Sequence, residues 1–299
     1  MRHSPLIFLG VLACLAFSWL GMALGPEIQL GNAQPETVDG GRYPNARPGL
    51  AAQGAEVYRS LGCNHCHSQQ VRQTDVEFGA RLLEHGDTPT NVFLALVQLG
   101  AAKSVDDAKA LKLPLILREG VTLPEAIYAT KLVGDAGAKF EITFKNLGAD
   151  LARGWGSRMS VAEDYLFDSP VMLGSRRIGP DLASVGVRVP QKYAGAWSFD
   201  YKGTNAAPEA REAAFKEAFK QWHYEHLNDP QLKVKNSTMP AYPWLFEKRS
   251  GRLVPKHDAE ALVEYLFSLR QDTGLLHAPV PKLAKARPAP AATNAPAAK

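Results

Sequence analysis

Two thiols and an imidazole within five consecutive positions constrain this chain more than any other feature. Cys63-Asn64-His65-Cys66-His67 is the pattern C-x-x-C-H. Thiols at this spacing reach the two vinyl groups of a haem and form thioethers, and the next residue brings its imidazole under the iron. A chain that closes around a plate tied to one of its own turns has few folds open to it. Other uses of the pattern fit less well. A redox dithiol follows a strand and opens a helix. Here Gly54-Ala55-Glu56-Val57-Tyr58-Arg59-Ser60-Leu61 reads as a helix before the motif, with Gly54, Tyr58 and Leu61 on one face. A structural zinc site needs a second Cys or Cys/His pair, and the remaining cysteine, Cys14, lies in an apolar run. Three cysteines in 299 residues also exclude a disulfide scaffold.

That run, Pro5 to Leu24, contains Ser18 as its one polar residue, and no charged residue occurs between Arg2 and Glu27. About 20 apolar residues cross the ~30 Å hydrocarbon layer. Residues 1–26 are therefore expected to be an uncleaved transmembrane anchor, with Arg2 holding the N-terminus in the cytoplasm and the rest outside. Haem of the c type is attached on that outer side. A signal peptide cleaved near Gly21-Met22-Ala23 is the alternative, although the stretch is long for one. Val11-Leu12-Ala13 makes a poor lipoprotein signal, so Cys14 reads as a small apolar filler. Residues 27–48, rich in Gly, Pro, Asn and Gln, read as a linker; residues 276–299, built from Pro, Ala and Lys, read as a disordered tail. The charge, 34 Lys+Arg against 30 Asp+Glu, is spread along the chain, which excludes a nucleic-acid footprint.

The iron needs a sixth ligand. Met239 lies in Asn236-Ser237-Thr238-Met239-Pro240-Ala241-Tyr242-Pro243-Trp244, a loop stiffened by prolines ahead of the last helix. A rigid loop suits a thioether that must keep its lone pair on iron. His/Met ligation saturates the metal and favours electron transfer over ligand chemistry. Met172 is the second candidate, and His85, His223 and His226 are bis-histidine candidates. In Ile178-Gly179-Pro180-Asp181-Leu182, the glycine permits close approach to the haem site. The Pro180 carbonyl is placed to accept the free N–H of His67, which orients the ring. His257–Arg270, with Leu262, Tyr265, Leu266 and Leu269 in helical register, is the last helix and is expected to cross the helix at Gly54. Pro208–Leu227 carries Phe215, Phe219, Trp222 and His226 along one stripe, read as core, with His223 and His226 as packing or hydrogen-bonding residues. Arg72, Arg153, Arg158, Arg176 and Arg177 are candidates to pair with haem propionates. Trp155, Tyr165, Tyr242 and Trp244 are candidates to line the haem pocket or a subunit contact. No acid, base or nucleophile constellation is evident.

Together these residues resemble the membrane-anchored monohaem subunit, subunit II, of the cbb3-type cytochrome c oxidases. The resemblance rests on the anchor, Gly62–Arg72, Asp164-Tyr165, Leu173–Ala183, Trp222-His223 and Met239–Leu245. It implies a mainly α fold: a class I-type cytochrome c domain on one N-terminal transmembrane helix, split into residues 49–80 and 144–275. It implies one covalently bound haem c, with Cys63, Cys66, His67, Met239, Gly179 and Pro180 as binding residues and His67 and Met239 as axial ligands. The chain would relay electrons from a soluble or membrane donor to a catalytic subunit that reduces oxygen, alongside other haem c subunits in the bacterial inner membrane. It would hold no oxygen-reduction site itself. A monohaem subunit of a nitric oxide reductase, a haem-based gas sensor and an assembly subunit are the alternatives.

Residues 81–143 interrupt this plan. They read as helix at Thr88–Leu99, helix at Ser104–Lys112, strand at Leu113–Leu117, helix at Leu123–Gly137 and strand at Lys139–Thr143. Leu117–Ala126 and Gly134–Ile142 resemble the C-terminal domain of the bacterial ribosomal stalk protein L7/L12, a small α/β fold. The insert has no Cys or Met, and its one histidine, His85, lies at its edge. A satellite domain for a protein contact is expected.

Overall fold

A computed structural model of the chain describes residues 3–38, 41–47, 49–188 and 208–281. Helix α1 (Ser4–Trp19) passes through a π turn at Leu20–Leu24 into α2 (Gly25–Gly31). The stretch Ser4–Gln29 has a mean hydropathy of 2.3 and buries none of it. Pro5 sits in the first turn, where a missing N–H costs nothing. A helix that is apolar all round needs a core or a bilayer to cover it. No core covers this one: Leu6, Phe8 and Phe17 are all more than half exposed. It is long and apolar enough to cross a membrane.

The expected linker is not featureless. Strand β1 (Glu36–Val38) pairs antiparallel with β2 (Gly41–Tyr43), Glu36 opposite Tyr43. Beyond the hairpin, Tyr43 donates its hydroxyl to Asp164 at 2.6 Å, and Arg47 pairs with Asp168. Helix α3 (Leu50–Ser60) then leads into the C-x-x-C-H turn.

The chain next leaves this unit for a second one, Thr74–Leu147. Its elements run β3 (Asp75–Glu84), α4 (Pro89–Gln98), α5 (Val105–Ala110), β4 (Leu115–Val121), α6 (Leu123–Asp135) and β5 (Lys139–Leu147). The three strands form an antiparallel sheet in the order β4-β3-β5. Ala80 and Leu82 of β3 and Leu117 of β4 pack under Val92, Leu96, Ala108, Ala129 and Val133 of the helices. Ser104 caps α5 by accepting the Asp107 N–H at 3.1 Å, and Glu125 accepts the Thr122 N–H at 2.8 Å before α6. These helices and the starts of β4 and β5 match the expected pattern; the central strand β3 was not expected, and it carries the unit back from residue 81 to residue 75. Asp75 in fact faces Leu147 across the sheet.

After Leu147 the chain returns through α7 (Ala149–Ala152), and later α8 (Pro208–Asn228), α9 (Pro230–Lys233), a hairpin of β6 (Phe246–Arg249) and β7 (Arg252–Pro255), and α10 (His257–Ser268). Helices α3 and α10 cross at Gly54. A Cβ there would stand 1.8 Å from the Ala261 carbonyl oxygen and 2.7 Å from the Tyr265 Cβ, so only glycine permits the approach. The contact brings the rings of Tyr58 and Tyr265 to 5.4 Å. Around it Leu262, Leu266, Phe215, Phe219, Leu227 and Leu245 form the core of this unit. Each fully buried side chain of this size contributes roughly 1.5–3 kcal/mol.

The architecture is mixed helix and sheet. The three-stranded sheet falls in the expected α/β insert, and the two hairpins add strand to the unit expected to be mainly α. The expected tail begins late: Leu275 and Ala278 exchange backbone hydrogen bonds at 3.1 Å, and both are buried. Residues 282–299 lie outside the described residues.

Candidate functional site

The turn after α3 carries both thiols. Cys63–His65 is one 3-10 turn, and the N–H groups of Cys66 and His67 both donate to the Cys63 carbonyl, at 3.1 and 2.9 Å. Cys63 and Cys66 are free and half-buried. Burial pushes the Cys63 thiol up to about 11, so it stays protonated. Tyr242, buried on the methionine loop, lies beside them: burial raises its phenol, and the two thiols add to the effect.

His67 is held by the Gly-Pro segment. Its Nδ1 donates to the Pro180 carbonyl at 2.8 Å, which leaves Nε2 as the ring nitrogen with a lone pair. Burial keeps the imidazole neutral, below its ordinary range. Gly179 lies flat against the ring: a Cβ there would meet Cε1 at 2.2 Å. Backbone bonds lock the two segments together, Gly179 N–H to the Cys66 carbonyl at 2.9 Å, Ser175 to Asn64 at 3.0 Å and Gln69 to Leu173 at 3.0 Å. Asp181 completes the lock. Fully buried, it accepts the Ser68 hydroxyl at 2.6 Å and the N–H groups of Gln70 at 2.7 Å and Ala183 at 2.9 Å. An acid set directly after Gly-Pro is the one sign of this role in the sequence.

Met239 and Met172 both pack, half-buried, against the core that Cys63 also joins. The loop around Met239 is held by its own N–H to the Ser237 hydroxyl at 3.3 Å and by the Tyr242 N–H to the Leu227 carbonyl at 2.8 Å. His223 is engaged elsewhere: it is buried, donates from Nδ1 to the Phe219 carbonyl at 2.8 Å, and is driven down to about 3 by burial. His226 packs, as expected, but makes no hydrogen bond through its buried Nδ1. Its ring stacks on Trp222 at 4.7 Å, and it stands close enough to His67 for either charge to disfavour the other. His85 belongs to the other unit, with its ring 5.0 Å from Phe93.

The five arginines separate. Arg158 is committed to structure: it donates to the Thr273 carbonyl at 2.6 Å, the Met159 carbonyl at 2.8 Å and both Asp164 oxygens at 2.7 and 2.9 Å. Its buried fork has nothing to offer a propionate. Arg72 and Arg176 are exposed. Arg153 and Arg177 line a cavity of about 320 Å³ with Trp155, Ile178, Gly179 and Pro180. Their guanidinium groups lie 4.9 and 5.8 Å from the Trp155 ring, whose N–H is buried with no hydrogen-bond partner. Arg188 was not singled out in the sequence. It donates to the Trp155 carbonyl at 3.3 Å and to the Asp181 carbonyl, and its charge acts on His67. Tyr165 donates to the Gln69 carbonyl at 2.6 Å, whereas Trp244 is exposed.

The donor set fits a covalent haem. Two unpaired thiols share one turn, an imidazole is fixed through its far nitrogen, and a side chain is missing where the ring needs room. Among the described residues no group of three or more His, Cys, Asp or Glu side chains comes together, so the cysteine pair finds no zinc partners there.

Residues 206–268 match the family described as cytochrome c oxidase, mono-haem subunit/FixO. The matched stretch contains Trp222, His223, the Met239 loop and α10, and excludes the C-x-x-C-H turn. It supports a monohaem subunit of an oxidase. No curated protein matches the chain.

Proposed function

We propose that this chain is the membrane-anchored monohaem cytochrome subunit of a cbb3-type oxidase and relays electrons to the subunit that reduces oxygen. The observation that carries the reading is the His67–Pro180 bond beside two free thiols on one turn, in a chain whose 206–268 stretch matches the oxidase subunit family. Bound there, haem c would supply one-electron chemistry. Cys63 and Cys66 would anchor it, and His67 and Met239 would ligate its iron.

The remaining residues have positioning roles. Pro180 fixes the His67 ring and strengthens it as a donor. Asp181 holds the segment that leaves the motif, through Ser68 and Gln70. Arg153 and the Trp155 N–H supply donors suited to propionates, whereas Arg177 is already paired with Asp150 and the Gln70 carbonyl and Arg188 with the Trp155 and Asp181 carbonyls. Burial of the core around Tyr58 and Tyr265 keeps water from the site, which favours electron relay over ligand exchange. The apolar N-terminal helix would tether the unit to the outer face of a bacterial inner membrane. Residues 74–147 form a second compact unit of α/β character, and a protein contact is its proposed role.

The test is Met239→Ala in the full-length, detergent-extracted protein. The methionine–iron absorption band should vanish and the haem potential fall, with haem still covalently attached. An unchanged spectrum removes Met239 from the assignment.

A further inference from the structure

The sheet of the second unit has two edges, and they are not alike. Strand β4 forms one. Its pairing with β3 shifts register on either side of Ala80, and Gly120 near its end takes a φ of 69°. Irregularities of this kind turn an edge away from further pairing. Strand β5 forms the other. It pairs with β3 along its whole length with one shift, next to Lys139 at its start, and it contains no glycine or proline. Among the described residues no strand pairs with its outer side. Its 9 residues, at ~3.4 Å each, leave an edge of about 30 Å open.

Paired residues share a face of the sheet. Phe140, Ile142 and Phe144 stand opposite Leu82, Ala80 and Phe78, and Ala80 and Leu82 belong to the core under the helices. Yet Phe140 and Ile142 are 43 and 37% exposed. The sheet ends before its apolar row is covered. On the other face Glu141, Thr143 and Lys145 stand opposite Arg81, Gly79 and Glu77. An acid and a base thus flank Thr143, two positions to either side.

That arrangement selects a partner. A second β5 laid antiparallel about Thr143 sets Glu141 opposite Lys145 twice, Ile142 opposite Phe144 twice, and Thr143 opposite itself. Across the joined sheets one row then reads Arg81 and Glu141 from one copy, Lys145 and Glu77 from the other. The signs alternate throughout, and the two-fold axis repeats the row in reverse. Opposite charges directly across strands attract and like charges repel. Other registers do worse. Centring on Ile142 sets Lys139 against Lys145, and centring on Phe144 leaves Glu141 against Leu147. A slip of one residue turns the apolar set onto the charged face.

We propose that residues 74–147 join two copies of this chain by pairing β5 with β5, antiparallel about Thr143, in an isologous two-fold contact. The proposal rests on the reading of this unit as one that makes a protein contact, and it names the partner. It does not depend on haem.

The experiment uses cells expressing the full-length chain with Cys14→Ser and one cysteine added on β5. Thr143→Cys sets the two Cα atoms ~5 Å apart, within disulfide reach, whereas Glu141→Cys sets them ~14 Å apart. After mild oxidation, Thr143→Cys should give a thiol-reversible dimer on a non-reducing gel, about tenfold above Glu141→Cys. The Cys14→Ser chain with no added cysteine measures the background from Cys63 and Cys66. Adding Ile142→Lys to Thr143→Cys sets a charge in the apolar row and should abolish the dimer. Lys131→Glu, exposed on α6, should leave it. The comparison of 143 with 141 decides if Ile142→Lys fails to accumulate. Equal cross-linking at 141 and 143, a dimer indifferent to Ile142→Lys, or no dimer at 143 overturns the pairing. If position 143 is instead joined to a different polypeptide, the contact reading survives and the self-pairing falls.

Discussion

Replacing Gly179 with alanine tests the proximal side of the site most directly. The added Cβ would stand 2.2 Å from Cε1, 2.6 Å from Nδ1 and 2.8 Å from Nε2 of His67. Carbon atoms touch comfortably at about 3.5 Å, so ring and backbone must part by more than ~1 Å. The Nδ1–Pro180 bond, 2.8 Å in the native arrangement, then stretches to about 4 Å and is lost. Overpacking costs about 1–3 kcal/mol and the broken hydrogen bond about 1 more. Groups that orient a ligand typically change its strength 10–100-fold. If that change falls on one oxidation state, a one-electron couple moves by roughly 60–120 mV. The direction is upward, because a ring that donates to a carbonyl is the better electron donor and favours oxidised iron. Potentiometric titration of the extracted protein, with covalent haem content measured in parallel, gives the answer. Leu94→Ala, 54% exposed on α4 of the other unit, serves as control. An unchanged midpoint in Gly179→Ala at full haem content would refute the argument.

Arg158→Met leaves Asp164 buried and unpaired, and should cost about 3–5 kcal/mol in denaturant unfolding. Adding Asp164→Leu should recover most of that loss, and equal losses in the single and double variants would contradict a coupled pair. Burial holds His223 at about 3 against an ordinary 6.5, so the unfolded chain takes up the proton first as pH falls. Its contribution is whole above pH 6.5 and declines toward pH 3, by about 1.4 kcal/mol per unit; His223→Phe should flatten that part of the acid limb, and a superimposable stability–pH curve would discount it. Removing residues 74–147 should leave haem attachment intact, since Asp75 faces Leu147 across one strand pair. Removing only 81–143 strands both edges and should yield aggregates; loss of haem from the first deletion would make the insert part of the cytochrome core.

Features written within a few residues were readable in advance. The C-x-x-C-H turn, the Gly-Pro carbonyl against His67 and the Gly54 crossing follow from spacing along one element and from what glycine lacks. The central strand β3 was missed because its register is set by partners such as Ile142 opposite Ala80, more than sixty positions away. Arg158 shows the same limit. As a lone arginine it fits a propionate, and only the fold reveals that Asp164 and two carbonyls have already taken its donors. Tyr43 and Arg47 sit in a stretch whose composition reads as spacer, yet each finds an aspartate 121 residues along the chain. Asp181 is the reverse case, adjacent to Gly179-Pro180 in the chain but intelligible only once its three donors are seen.

The pairing of Asp75 with Leu147 leaves the host a gap of one strand spacing. Any module whose own termini emerge side by side on neighbouring strands fits the same gap. The junction is a natural graft point: a fluorescent reporter or an affinity tag with adjacent ends, exchanged for the resident unit, would give a visible handle on this chain in cells without disturbing either terminus.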